Sequence, residues 1–296
     1  MLRSMYTGIS GMNGFQNKLD VVSNNIANVN TFGYKKGRQT FSDLMSQTTQ
    51  GATGPVGDGQ LGGRNPMQVG LGSNTGSIDN IHTQGNRQTT DRPLDLAIEG
   101  DGMFVVAERT VSADGDVENT AIDLDLDGGD QINFTRAGNF YLDEEGYIVN
   151  SNGQYLVGDV EGDPGRIQIP EGAQSFSIGA DGTVNYVSED GNAEEAGQVM
   201  LANFSNPEGL EKVGGNNFAL TGNAGLMEGL DDQIEFLNVP GQGGTGNLYA
   251  GALEMSNVDL AEEFTEMITS QRGFQANTRV ITTSDEILQE LVNLKR

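Results

Sequence analysis

Apolar residues recur at alternating three- and four-residue spacing at both ends of this chain, and a long glycine-rich, acidic, strand-like middle separates the two stripes. The C-terminal stripe runs Leu260, Phe264, Met267, Gln271, Phe274, Thr278, Ile281, Asp285, Leu288, Val292, and the N-terminal one Met5, Ile9, Met12, Gln16, Leu19, Ser23, Ile26. A stripe with that period buries its side chains against another helix. The spacing alone fits two readings, a coiled coil made from the two ends or two amphipathic helices packed on a globular core.

Charge favours the first. Residues 1–38 carry five basic side chains (Arg3, Lys18, Lys35, Lys36, Arg38) against the single acid Asp20, whereas residues 253–296 carry eight acids against four bases. Opposite charge on two striped segments favours their pairing with each other over self-pairing of either. The two ends cancel, so the formal net charge of −26 resides in residues 39–252. A surface that negative repels phosphate and anionic lipid, which argues against a nucleic-acid partner and against direct membrane insertion. No apolar run approaches the roughly 20 residues that span a bilayer, and the Met1-Leu2-Arg3 start lacks the features of a cleaved secretory signal. With no cysteine in 296 residues, disulfides, zinc ribbons and thiol nucleophiles are excluded.

The pattern predicts an α+β chain whose N- and C-terminal helices pair as a coiled coil around an antiparallel all-β middle. Residues 1–38 form the N-terminal helical part, with the helix reaching about Asn30 and Gly33 ending it. Residues 39–77 read as a glycine-rich extended connection, 78–239 as the all-β outer domain, 240–252 as a glycine-rich return and 253–296 as the C-terminal helix. Short alternating runs at 103–107, 132–135, 147–150, 175–178 and 183–187 are the strands. Glu145-Gly146, Asn152-Gly153, Asp181-Gly182 and Asp190-Gly191 between them accept the positive φ of tight turns. Ser256 followed by Asp259 reads as a capping-box variant opening the last helix.

Little in the chain suggests catalysis. His82, the single histidine, stands between polar residues and reads as a surface side chain; alone it builds neither a two-histidine metal site nor a triad. Asp123, Asp125, Asp127, Gly128 and Asp130 have the alternate acids of a calcium loop, but Phe134 occupies the twelfth position where a bidentate acid belongs, and the segment reads equally as a solvated hairpin tip. No catalytic, cofactor-binding or metal residue is assigned, and no cofactor. The residues singled out are those of the assembly seam: Met5, Ile9, Met12, Leu19, Ile26, Leu260, Phe264, Met267, Phe274, Ile281, Leu288 and Val292.

Four runs carry a family resemblance. LDVVSNNIANVNTFGYKK at 19–36 resembles the N-terminal signature of the bacterial flagellar rod and hook proteins, and GALEMSNVDL at 251–260 with MITSQRGFQAN at 267–277 resembles the partner signature at their C-terminus. LDLAIEGDGMF at 94–104 and TRAGNF at 135–140 extend the likeness through the middle, which departs in the acidic insert at 114–130. Within the family the likeness is nearest to the short hook form of Gram-positive type, with the ELVNLKR ending at 290–296. The distal rod form is second, with the IPEGA stretch at 169–173.

The resemblance implies a non-enzymatic structural subunit of the flagellum. It would be exported by the flagellar apparatus without a cleaved signal and would polymerise helically with itself into a hollow extracellular tube coupling motor to filament. Neighbouring rod, hook-cap and hook–filament junction proteins would be its other partners. A calcium-stabilised surface adhesin and a secreted hydrolase are the competing classes. The adhesin leaves the complementary ends unexplained, and the hydrolase lacks a constellation of reactive side chains.

Overall fold

The computed structural model describes residues 2–54, 62–108, 131–160, 162–225 and 237–294. The chain is α+β and divides into two units, one of Met1–Ala27, Gly37–Asn80 and Asp259–Arg296, the other of Asn28–Lys36 and Ile81–Val258.

The first unit holds both helices, α1 (Leu2–Ala27) and α2 (Leu260–Asn293), with strands β1 (Gly37–Asp43), β2 (Ser46–Gln50), β3 (Met67–Gly70) and β4 (Ser73–Asn80). The helix expected to reach Asn30 stops at Ala27. Asn25, in its last turn, holds the chain where it returns as β1: its amide donates to the Gly37 carbonyl at 2.8 Å and its oxygen accepts from the Gly37 N–H at 2.9 Å. The cap of α2 also differs from expectation. Asp259 is the N-cap, its carboxylate accepting from Ala261 N–H at 2.8 Å, while Ser256 only caps a local turn at Val258.

The helices pack antiparallel. Gly8 lies against Ile281, Gly11 against Asn277 and Phe15 against Gly273, and Lys18 pairs with Glu266 at 3.3 Å. Small residues make the approach close: a Cβ on Gly11 would sit 2.8 Å from Asn277 Nδ2, and one on Gly273 2.6 Å from the Phe15 ring. Residues 39–77, read from sequence as an extended connection, carry four paired strands that belong with the helices, β1 with β4 and β2 with β3. Glycines 51, 54, 62 and 70 stand in open space, whereas Gln39 and Phe41 of β1 turn onto α1, Gln39 donating to the Gly14 carbonyl and Phe41 packing 5.6 Å from Phe15. The chain passes between the units at 27/28, 36/37, 80/81 and 258/259.

The second unit is built on an antiparallel sheet whose central strands are Tyr155–Val160, Met103–Glu108 and Gln131–Thr135. Met103, Val105 and Ala107 face a core with Phe134, Phe204 and Phe218; Phe104 and Val106 face another with Leu96, Ile98, Phe140 and Leu156. A strand buried on both faces reads as a continuous apolar run, which is what MFVVA is. The four predicted turn glycines, 146, 153, 182 and 191, all have φ between 80° and 85°. Gly146 also lies where a Cβ would meet the Ile169 carbonyl, so both conformation and space require glycine there.

Candidate functional site

Among the described residues no group of His, Cys, Asp or Glu side chains is arranged to hold a metal ion, and no helix is long and apolar enough to cross a membrane. The Asp123–Asp130 candidate loop lies outside the described residues. His82 is not the surface side chain expected from its polar neighbours. Both ring nitrogens are buried without a hydrogen-bond partner, and the ring packs 5.3 Å from Phe218. Burial, with Lys35, Arg136 and Lys212 nearby, pulls its pKa down to about 4. A neutral imidazole with no partner on either nitrogen has nothing to orient it as a base; it is a packing residue.

Exposed apolar side chains are distributed unevenly. Among the described residues, all the large ones except Tyr141, Leu142, Val213 and Tyr249 belong to the helical unit. The seam residues read from sequence divide. Met5, Met12, Leu19, Ile26, Met267, Phe274, Ile281 and Leu288 are half-buried, whereas Ile9, Leu260, Phe264 and Val292 are exposed, Phe264 at 49 % and Val292 at 68 %. The residues most buried on the helices are instead Gly8, Gly14, Val22 and Asn25 on α1 and Glu263, Ser270 and Ser284 on α2. At about 100° per residue the buried stripe of α2 is rotated by roughly 50° from the apolar seam. Leu260, Phe264 and Ile268 then lie on one flank of the buried stripe near the helix start. Val280, Ile287 and Leu291 lie on the opposite flank near its end, and all six are exposed. Glycines 8, 11 and 273 set the close approach within one chain, receiving Ile281, Asn277 and Phe15, and the six apolar flank residues are left on the outside.

The second unit contains a charged cluster that periodicity could not reveal. Glu254 is 1 % exposed. One carboxylate oxygen accepts from Lys35 Nζ at 2.6 Å and from Gly85 N–H at 2.8 Å, the other from Arg136 Nη1 at 3.2 Å. Lys35, also buried, donates further to the Thr83 carbonyl at 2.9 Å, and Arg136 to the Gly100 carbonyl at 2.7 Å. Burial holds the Lys35 pKa below the usual lysine range despite the partnering carboxylate. Two cations on one fully hydrogen-bonded carboxylate fix the geometry of three chain segments at once. Each comes from a different run quoted above: Lys35 from 19–36, Arg136 from 135–140, Glu254 from 251–260. The available signal was an isolated charge inside a run of small and apolar residues, Leu253-Glu254-Met255 above all.

Comparison with known proteins finds matches at both ends of the chain and in its middle. Residues 5–35 match the flagella basal body rod protein family, 124–186 the flagellar hook protein FlgE/F/G D1 domain, and 249–294 the flagellar basal body rod FlgEFG protein C-terminal family. The chain is 51 % identical over 296 residues to the flagellar basal-body rod protein FlgG of Bacillus subtilis, covering all of both chains. It is 37 % identical over 297 residues to the rod protein FlgG of Caulobacter vibrioides, covering 99 % of this chain and all of that one. The flagellar hook protein FlgE of Borreliella burgdorferi is 30 % identical over an alignment of 451 positions spanning both chains. These relatives are structural proteins rather than enzymes. With matches at both ends and in the middle and full-length identity of this order, the chain belongs to the flagellar rod and hook protein family FlgE/F/G.

Proposed function

We propose that this protein is a subunit of the flagellar rod that polymerises with copies of itself through the helical unit. The observation that supports self-assembly is the concentration of exposed apolar side chains on that unit, on opposite flanks of α2. A flank near one end of α2 that packs on the opposite flank of the next copy makes a head-to-tail contact, and such contacts generate open helical assemblies. In this reading α1 and α2 act as the coiled-coil inner layer. The seam residues, Phe264 and Leu260 among them, become buried between copies.

Rod is preferred to hook because the match to a rod protein runs the whole length of both chains at 51 % identity, whereas the hook alignment must extend to 451 positions for a chain of 296. Passage through the flagellar export apparatus, a position outside the cytoplasm and contact with neighbouring rod and hook components follow from the same reading. Electron microscopy of the polymerised protein at low and high salt tests it. Straight cylinders at every salt concentration are expected; curved tubes would return the assignment to the hook, and failure to form any tube would remove both.

A further inference from the structure

We infer that the β unit carries a peptide-binding socket, filled by its own Asn28–Lys36, that accepts the same segment presented by a second copy when its own is withdrawn. The segment is separated from the rest of the unit by residues 37–80, which belong to the other unit, and the large sheet takes no strand from it. It is therefore a short peptide docked on a body made from one continuous stretch, Ile81–Val258.

The contacts are those of peptide recognition, with main-chain groups read by hydrogen bonds and side chains by pockets. Asn216 donates to the Phe32 carbonyl at 2.9 Å, Lys212 to the Lys35 carbonyl at 3.1 Å and Ile81 N–H to the Lys36 carbonyl at 2.9 Å. Gly33 N–H donates to the Glu254 carbonyl at 2.8 Å, and Lys36 N–H to Asn257 Oδ1 at 2.8 Å. The Lys212 ammonium lies 4.7 Å from the centre of the Tyr34 ring, and Lys35 enters the charged cluster around Glu254. Gly33 is selected twice: its φ is +69°, and a Cβ would stand 2.5 Å from Ala137 N. Within the segment, Thr31 N–H donates to the Asn28 carbonyl and Tyr34 N–H to the Thr31 carbonyl, turns that lower the cost of ordering a free peptide.

The test uses the full chain carrying Gly33→Val, whose own segment cannot seat, and a fluorescent peptide with the sequence of residues 28–37 followed by anisotropy. Saturable one-to-one binding is expected. The wild-type chain, with its socket filled, should bind at least about tenfold more weakly, and peptides carrying Gly33→Val or Lys35→Glu should not bind either chain. A Gly33→Val chain that keeps its cooperative β melting transition but takes up no peptide overturns the socket, as does equal binding of the Gly33→Val peptide. If Gly33→Val does not fold, the Tyr34→Ala chain, which adds no bulk, takes its place and should bind more tightly than wild type; no gain there also overturns the inference. Neither result bears on tube formation, which is measured separately.

Discussion

At the scale of single residues, two buried titratable groups make opposite predictions. Glu254 neutralises Lys35 and Arg136, and all three are nearly inaccessible to water. Removing one partner of a buried ion cluster leaves the others desolvated and uncompensated, at a cost of about 3–5 kcal/mol. Glu254→Gln should lower the stability of the β unit by that amount in urea titrations at neutral pH, and a loss below about 1 kcal/mol would show that water already screens the cluster. His82 behaves in the other direction. Its folded pKa of about 4 lies below the unfolded value near 6.5. Between those pH values the unfolded chain therefore binds the extra proton, and stability is lost as pH falls through that window. The shift corresponds to at most about 3 kcal/mol. His82→Leu should be neutral or stabilising at pH 7, because two unpartnered ring nitrogens are replaced by an apolar group. It should also flatten the dependence between pH 6.5 and 4 relative to wild type. Parallel pH profiles for the two proteins would show that the imidazole is not held neutral.

At the scale of elements, α2 separates stability from association. Phe264 and Ile268 are about half exposed, so the double substitution Phe264→Glu with Ile268→Glu should change monomer stability by no more than roughly 0.5 kcal/mol per site. It should nevertheless abolish polymerisation measured by sedimentation. Gly11→Val does the reverse: its side chain would press on Asn277 and force the helices apart, an overpacking cost of about 1–3 kcal/mol in the monomer. A polymer that forms normally from the double glutamate variant would show that this flank is not an assembly surface.

The same helix marks where the sequence was legible. The existence and pairing of the helices, the turns at Asn152-Gly153 and Asp181-Gly182 and the runs around Met103 and Thr183 follow from patterns that one local cause produces. The contact of the helices within one chain does not. Hydrophobic periodicity marks the apolar face, whereas the contact between α1 and α2 turns on Gly8, Gly11 and Gly273 and on the Asn25–Glu263 hydrogen bond, each of which depends on a partner far away in sequence. The partners of Glu254 were hidden for the same reason, since Lys35 and Arg136 look solvated until the fold brings them to its carboxylate.

At the scale of the whole molecule, charge opposes what apolar surface favours. The formal −26 resides in residues 39–252, and most of that stretch is the β unit, so neighbouring copies in any tube bring like-charged bodies near one another. That repulsion is screened over about 10 Å at 0.1 M salt and about 3 Å at 1 M. Burial of Leu260, Phe264 and Ile268 between copies is not weakened by sodium chloride, and salting-out strengthens it. If complementary charge between copies drove association, added salt would raise the critical concentration for polymerisation. If apolar burial drives it against acidic repulsion, added salt lowers that concentration. The second outcome is expected between 0.1 and 1 M sodium chloride, read from the pelletable fraction across a protein dilution series. A critical concentration that rises with salt would transfer the driving force from the apolar flanks of α2 to ion pairs between copies.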